Sequence, residues 1–219
     1  MASVTLGLAT GVFAISFGVL AVSAGASVAQ TCAMSLLVFT GASQLSAVSV
    51  IAAGGSTASA LSSGLLLAAR NGVYGLTMAG RLRGGLATRL VAAQLVLDES
   101  TAMASAEDDR EAQRVAFWIT GISIYVFWNI GTLVGALAGS SIDPQTYGLD
   151  GAFPAAFVAM LWPSLRTLRG RLAALAGAAI CLATIPFAPI GVPILCAALA
   201  VGVGLPRRLV AGRHDPATP

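Results

Sequence analysis

Residues 56–80 read STASALSSGLLLAARNGVYGLTMAG, and the reading of this stretch decides the class of fold. It is long and apolar enough to cross a bilayer as a helix, yet Arg70 lies ten residues from Gly80, roughly 15 Å at about 1.5 Å per residue. A guanidinium keeps its proton in a protein and cannot snorkel that far to either end. An arginine so placed is expensive to bury and marks a pathway or a ligand site. Arg70 is also the first charge in the chain, because residues 1–69 are all uncharged.

The whole composition agrees. The chain has 219 residues, 57% of them hydrophobic and 10% charged, with mean hydropathy +0.86; an ordinary soluble domain carries about 25% charge. The expectation is an all-α integral membrane protein. The longest polar stretch, residues 105–114, is too short to bury a core of its own, so residues 1–206 read as one polytopic membrane domain and 207–219 as a short polar cytoplasmic tail. The net charge of +3 arises from 12 basic residues, all arginine. They stand in small groups beside apolar spans, without a basic stripe or interleaved aromatics, which argues for topology and against nucleic acid.

Chemistry that needs a cofactor or a nucleophile finds no support. Cys32, Cys181 and Cys196 are isolated in apolar runs, the single histidine, His214, lies in the tail, and no metal-ligand spacing, phosphate loop or nucleophile–base set is present. No enzyme, metal or cofactor is expected. Ala24-Gly25-Ala26 resembles a signal cleavage site, but no basic region precedes it, so residues 6–24 read as a permanent span.

Spans are expected near 6–24, 29–53, 57–80, 115–138, 150–165, 170–185 and 189–206, about seven in all. Residues 84–104 carry Arg89, Gln94, Asp98 and Glu99 and make a poor spanning helix. Leu86, Leu90, Ala93 and Leu97 share one helical face, which predicts an amphipathic or re-entrant segment. Ser105, three residues before Asp108, reads as a cap for the next helix, and Glu111 and Arg114 can pair across one turn. With seven spans, the groups at Arg81 and Arg83, at Arg166, Arg169 and Arg171, and at Arg207, Arg208 and Arg213 all fall on one face. The positive-inside rule then predicts N-terminus out and C-terminus in. Gly7 and Gly11, and Gly131, Gly135 and Gly139, recur every fourth residue and predict close helix packing; Pro186, Pro189 and Pro193 break the last apolar tract.

Polar residues collect at similar depth. Ser43 and Gln44 lie near the centre of the second span, Arg70 and Asn71 of the third, Trp128 and Asn129 of the fourth, and together they form a candidate substrate-binding set. No acid lies inside any of these spans. The counter-ion of Arg70 is therefore Asp98 or Glu99 from the 84–104 segment, an acid of a partner subunit, or a substrate carboxylate. Asp98 and Glu99 are also candidates for carrying a coupling proton. An anion held by arginine, with amides nearby and small aliphatic walls, suits a small aliphatic amino acid.

Phe17-Gly18-Val19-Leu20, Phe39-Thr40-Gly41-Ala42-Ser43-Gln44, Arg70 followed by Tyr74-Gly75, Asp98-Glu99, Trp128 with Gly131 and Gly135, and Gly148-Leu149-Asp150 with Phe153-Pro154-Ala155 occur in this order along the chain. In that order and spacing the chain resembles the branched-chain amino acid permease large-subunit, or AzlC-like, family. It departs at the flanks of Arg70, where the family pattern looks like Asn-x-Arg-His and this chain has Ala68 and Asn71. The resemblance implies proton-coupled export of branched-chain or similar amino acids across the bacterial cytoplasmic (inner) membrane, with a small multispanning companion of the AzlD type. The competing expectation is a non-transporting membrane scaffold in which the same polar residues serve helix packing.

Overall fold

The computed structural model describes residues 1–82, 84–139, 158, 161–162 and 164–204, which group into two compact units, Met1–Ala155 and Ala156–Pro219. Most of the described residues are helical. In the first unit lie α1 (Ala2–Ser23), α2 (Val28–Val38), α3 (Gly41–Ala52), α4 (Thr57–Ala79), α5 (Leu86–Gln94), α6 (Asp98–Ser105) and α7 (Arg110–Gly139). α1 and α7 are long and apolar enough to cross a membrane. The second unit contains α8 (Leu168–Thr184), α9 (Val192–Ala197), a 3-10 turn (Ala198–Ala200) and α10 (Val201–Gly204). Most of the expected 150–165 span, Arg83 and the 207–219 tail lie outside the described residues.

α1 and α7 run parallel. Thr120 Oγ1 donates to Ser3 Oγ at 2.9 Å, and further along Gly131 meets the Gly11 carbonyl, Gly135 that of Ile15 and Gly139 the Val19 backbone. The expected small-residue faces thus pack on each other, and a methyl group at Gly131 or Gly135 would run into the opposing carbonyl oxygen.

Two matching turns follow α1 and α3. In each, a glycine with positive φ (Gly25 at 97°, Gly54 at 83°) ends the helix, and the next amide reaches back five residues, Ala26 N to Ala21 O and Gly55 N to Val50 O. A serine then caps the next helix: Ser27 accepts from Gln30 N and Ser56 from Ser59 N.

The 29–53 stretch is not one span. It breaks at Phe39 and Thr40, and Gln44 Nε2 donates to Met34 O at 2.9 Å. On a continuous helix those positions would be about 15 Å apart, so α2 and α3 fold back on each other as a hairpin. Periodicity alone cannot show this, because a hairpin buried in protein is as apolar as a span. What permits it is that carbonyls freed at the end of α2 find side-chain donors: Tyr125 Oη and Gln94 Nε2 on Leu36 O, and Gln94 Nε2 on Leu37 O.

The 84–104 segment is a second hairpin. α5 leaves the end of α4, its last residue Gln94 reaches the tip of the first hairpin, and α6 returns to where Arg81 Nη1 donates to Ser105 Oγ at 3.2 Å. The segment doubles back on itself, and the residues expected on one helical face divide: Leu86 and Leu90 are exposed, whereas Leu97 is buried with Ala92, Leu95 and Val96. Ser105 ends α6, and α7 is instead capped by Asp109, whose Oδ2 accepts from Glu111 N and Ala112 N.

The relative direction of α1 and α4 differs from that implied by the expected seven spans. Gly80 and Arg81, at the end of α4, share a cavity with Arg110, Glu111 and Arg114 at the start of α7. α7 is parallel to α1, so α4 is antiparallel to both. N-terminus out together with Arg81 in required α4 to run parallel to α1; the first hairpin, which enters and leaves at one end, removes the crossing on which that depended.

Candidate functional site

The tips of the two hairpins meet beside the middle of α7. In the first, Gln44 is fully buried, its Nε2 on Met34 O and its Oε1 accepting from Trp128 Nε1 at 3.1 Å. Trp128 stacks on Phe17 and tilts against Phe13, with ring centroids 6.3 and 6.2 Å away. Gly41 is required beneath it, since a Cβ there would come within 2.7 Å of Trp128 Cη2. Ser43 is buried with its hydroxyl 3.4 Å from that of Thr40. Nearby, Ser35 Oγ donates to Thr132 Oγ1 at 3.1 Å.

In the second hairpin Ser100 closes the tip, accepting from Leu97 N at 3.0 Å and donating to Leu95 O at 2.7 Å. Its neighbour Asp98 supplies the counter-ion of Arg70: Nη1 lies 2.8 Å from Oδ2. The pairing is a single contact. Arg70 Nε and Asp98 Oδ1, together with Thr101 Oγ1 and Asn129 Oδ1, are buried and make no hydrogen bond among the described residues. Tyr74, one turn beyond Arg70, interacts with the same carboxylate, as does Glu99 beside it.

Of the residues singled out in the sequence, Gln44 and Trp128 bond each other, and Arg70 and Asp98 bond each other. Ser43 belongs with Thr40 on the first hairpin; Asn129 donates to Tyr125 O within its own helix; Asn71 and Glu99 are half-buried. No hydrogen bond or ion pair joins the Gln44 pair directly to the Arg70 pair among the described residues. Tyr125 and Gln94 both grasp the backbone of the first tip. The site roles of Thr40, Gln94, Ser100, Thr101 and Tyr125 are not legible in the sequence, because each lies where the pattern reads as one uninterrupted helix or a surface segment.

A family model described as AzlC protein matches residues 5–142. The chain is 28% identical over 148 residues to a protein of Helicobacter pylori called an uncharacterized membrane protein, covering 67% of this chain and 65% of that one. A protein of Archaeoglobus fulgidus with the same description is 33% identical over 194 residues, covering 85% and 83%. The chain thus spans just under two thirds of the Helicobacter relative's length. No solved structure matches it.

Proposed function

Because the chain belongs to the AzlC family, a family of membrane proteins associated with transport, we propose that it is the large subunit of a secondary transporter exporting branched-chain or similar small aliphatic amino acids. The observation that carries this reading is the half-satisfied pair of Arg70 and Asp98. Each has one buried polar atom left over, a donor at Nε and an acceptor at Oδ1. A zwitterion presents a carboxylate and an ammonium side by side, and so complements both atoms at once. Ser43, Asn71 and Asn129 are assigned to the substrate; Gln44 and Trp128, which saturate each other, position the tip of the first hairpin. Asp98 and Glu99 carry the coupling proton in this scheme, with the proton gradient as the driving force. A small AzlD-like multispanning subunit completes the transporter in the bacterial cytoplasmic membrane.

The proposed orientation follows from helix direction. Arg81, Arg110 and Arg114 gather at the end where α1 begins, and the turns at 24–27 and 53–56 on the opposite end are uncharged. The positive-inside rule then puts the N-terminus in the cytoplasm. The expectation that the C-terminus lies inside is kept in this scheme.

The test is efflux of labelled leucine, isoleucine and valine from preloaded cells, with and without the companion subunit, measured per inserted molecule. Efflux is expected from the wild-type chain, none from Arg70→Ala, and none from Arg70→Ala combined with Asp98→Asn. Restored efflux in the double variant would make the pair a structural bridge and remove Arg70 from the substrate site.

A further inference from the structure

α1 followed by the α2–α3 hairpin has the plan of α4 followed by the α5–α6 hairpin: a long helix of 22 or 23 residues, then a short helix, a tip and a second short helix. The two copies point in opposite directions. α1 and α4 are antiparallel, and each hairpin enters from the end where its own long helix finishes. The sequence carries traces of the same repeat. Gly7 and Phe17-Gly18 recur 57 residues later as Gly64 and Tyr74-Gly75. At the tips, Leu37-Val38-Phe39-Thr40 with Ser43 recurs 58 residues later as Leu95-Val96-Leu97-Asp98 with Thr101.

Short apolar words recur by chance in any membrane protein, so the decisive observation is geometric. In this register the counterpart of Gln94 is Leu36, and Gln94 Nε2 bonds the Leu36 carbonyl at 2.9 Å. Two equivalent positions touch only where a two-fold axis passes between them. We infer that residues 2–105 form an inverted repeat whose two hairpin tips are the paired gates of the substrate passage, with Thr40 and Ser43 lining it from one side as Asp98 and Thr101 do from the other. The gating role rests on the transport reading above; the repeat does not. In this register Arg70 corresponds to Phe13 and Asp98 to Thr40, so the charged pair belongs to one half only. The half with Thr40 and Ser43 contributes neutral hydroxyls, and Thr101, whose hydroxyl is buried and unpartnered, is their counterpart opposite. Opening the passage to one face requires one hairpin to move, and opening it to the other face requires its counterpart, which is alternating access in an inverted repeat.

The experiment uses the full chain with Cys32, Cys181 and Cys196 replaced by alanine, in membrane vesicles of known orientation. Ser43→Cys and Thr101→Cys are labelled singly with an impermeant thiol reagent from each side. Labelling is expected from opposite faces, Ser43→Cys from the side of the Gly25 and Gly54 turns and Thr101→Cys from the side of Arg81. A second pair, Leu36→Cys with Gln94→Cys, is joined by a short bifunctional thiol cross-linker. Efflux is expected to stop and to return on reduction, and the closed tips should block labelling in variants that also carry either single cysteine. Labelling of both positions from one face, or cross-linked tips that leave efflux unchanged, overturns the proposal. Opposite-face labelling in a protein that moves no amino acid refutes the transport reading and its gates while upholding the inverted repeat.

Discussion

In the first hairpin the tip is held by neutral groups, Gln44 between the Met34 carbonyl and the Trp128 indole, whereas the second is tied by Ser100 and flanked by the Arg70–Asp98 ion pair. Burial differs as sharply. Leu37 is 76% exposed within the described structure and Leu95, at the matching place, is 4% exposed. The local sequences are alike, and α7 meets the two hairpins differently. Opposite Leu95 it offers Gly121, against which even a Cβ would come within 2.9 Å of the Leu95 Cβ. Opposite the first hairpin it offers Tyr125 and Trp128, aromatic rings that hold the tip by hydrogen bonds and contact instead of enclosing it. One helix thus serves two equivalent hairpins in two ways, by making room for one and by gripping the other.

The contrast can be broken most forcefully at the ion pair. Asp98→Asn should abolish efflux and lower stability by about 2 kcal/mol, less than for a fully buried pair because roughly a third of the Arg70 side chain is open. Arg70→Lys, which keeps the charge but not the planar fork, should weaken efflux while leaving insertion intact. Efflux rates normalised to membrane protein, with thermal unfolding in detergent, separate the two effects.

Overpacking comes next. Gly41→Ala should cost about 1–3 kcal/mol against the Trp128 ring, and Gly121→Ala a similar amount against Leu95. Each should be relieved by trimming its own neighbour, Trp128→Phe for the first and Leu95→Ala for the second, and not by the other. Equal rescue in both directions, read from melting temperatures of the double variants, would mean that α7 does not treat the hairpins separately.

Gln44→Leu removes the acceptor of a buried indole N–H and should cost about 1–2 kcal/mol, whereas Gln94→Leu, whose amide is exposed, should cost less than about 1 kcal/mol. Heating followed by size-exclusion chromatography ranks the two. The smallest effect is expected at Glu99: Glu99→Gln should leave folding and maximal efflux close to wild type but flatten the dependence of efflux on pH. A profile unchanged in Glu99→Gln would remove Glu99 from proton coupling.

Much of the candidate site was legible before the fold. Arg70, Gln44 and Trp128 stand out because a polar group in an apolar span has few reasons to be there, and Asp98 was among the named counter-ions for Arg70. The hairpin in residues 29–53 was not legible, since its residues are apolar on every face, as those of a span are. Its consequence, the reversed direction of α4, was therefore hidden as well. Ser105 misled for a related reason: its spacing to Asp108 fits a cap, but the helix begins later, and Asp109 is better placed to accept its first amides.

The amino-acid sequence by itself determined that this is a helical membrane protein, where the turns after α1 and α3 fall, which helices carry small-residue faces for close packing, and that a charge is held in an apolar stretch. Those properties are set by composition, by glycine and serine at helix ends, and by the four-residue spacing of small side chains, all of which act over a few residues. Only the tertiary structure decided that two apolar segments fold back as hairpins, that their tips meet, and that Asp98 is the acid facing Arg70. A break in a helix is tolerated only when distant groups supply the hydrogen bonds it frees, here Gln94 and Tyr125 for the carbonyls of residues 36 and 37. That condition depends on donors 57 to 89 residues away, and no local pattern records it.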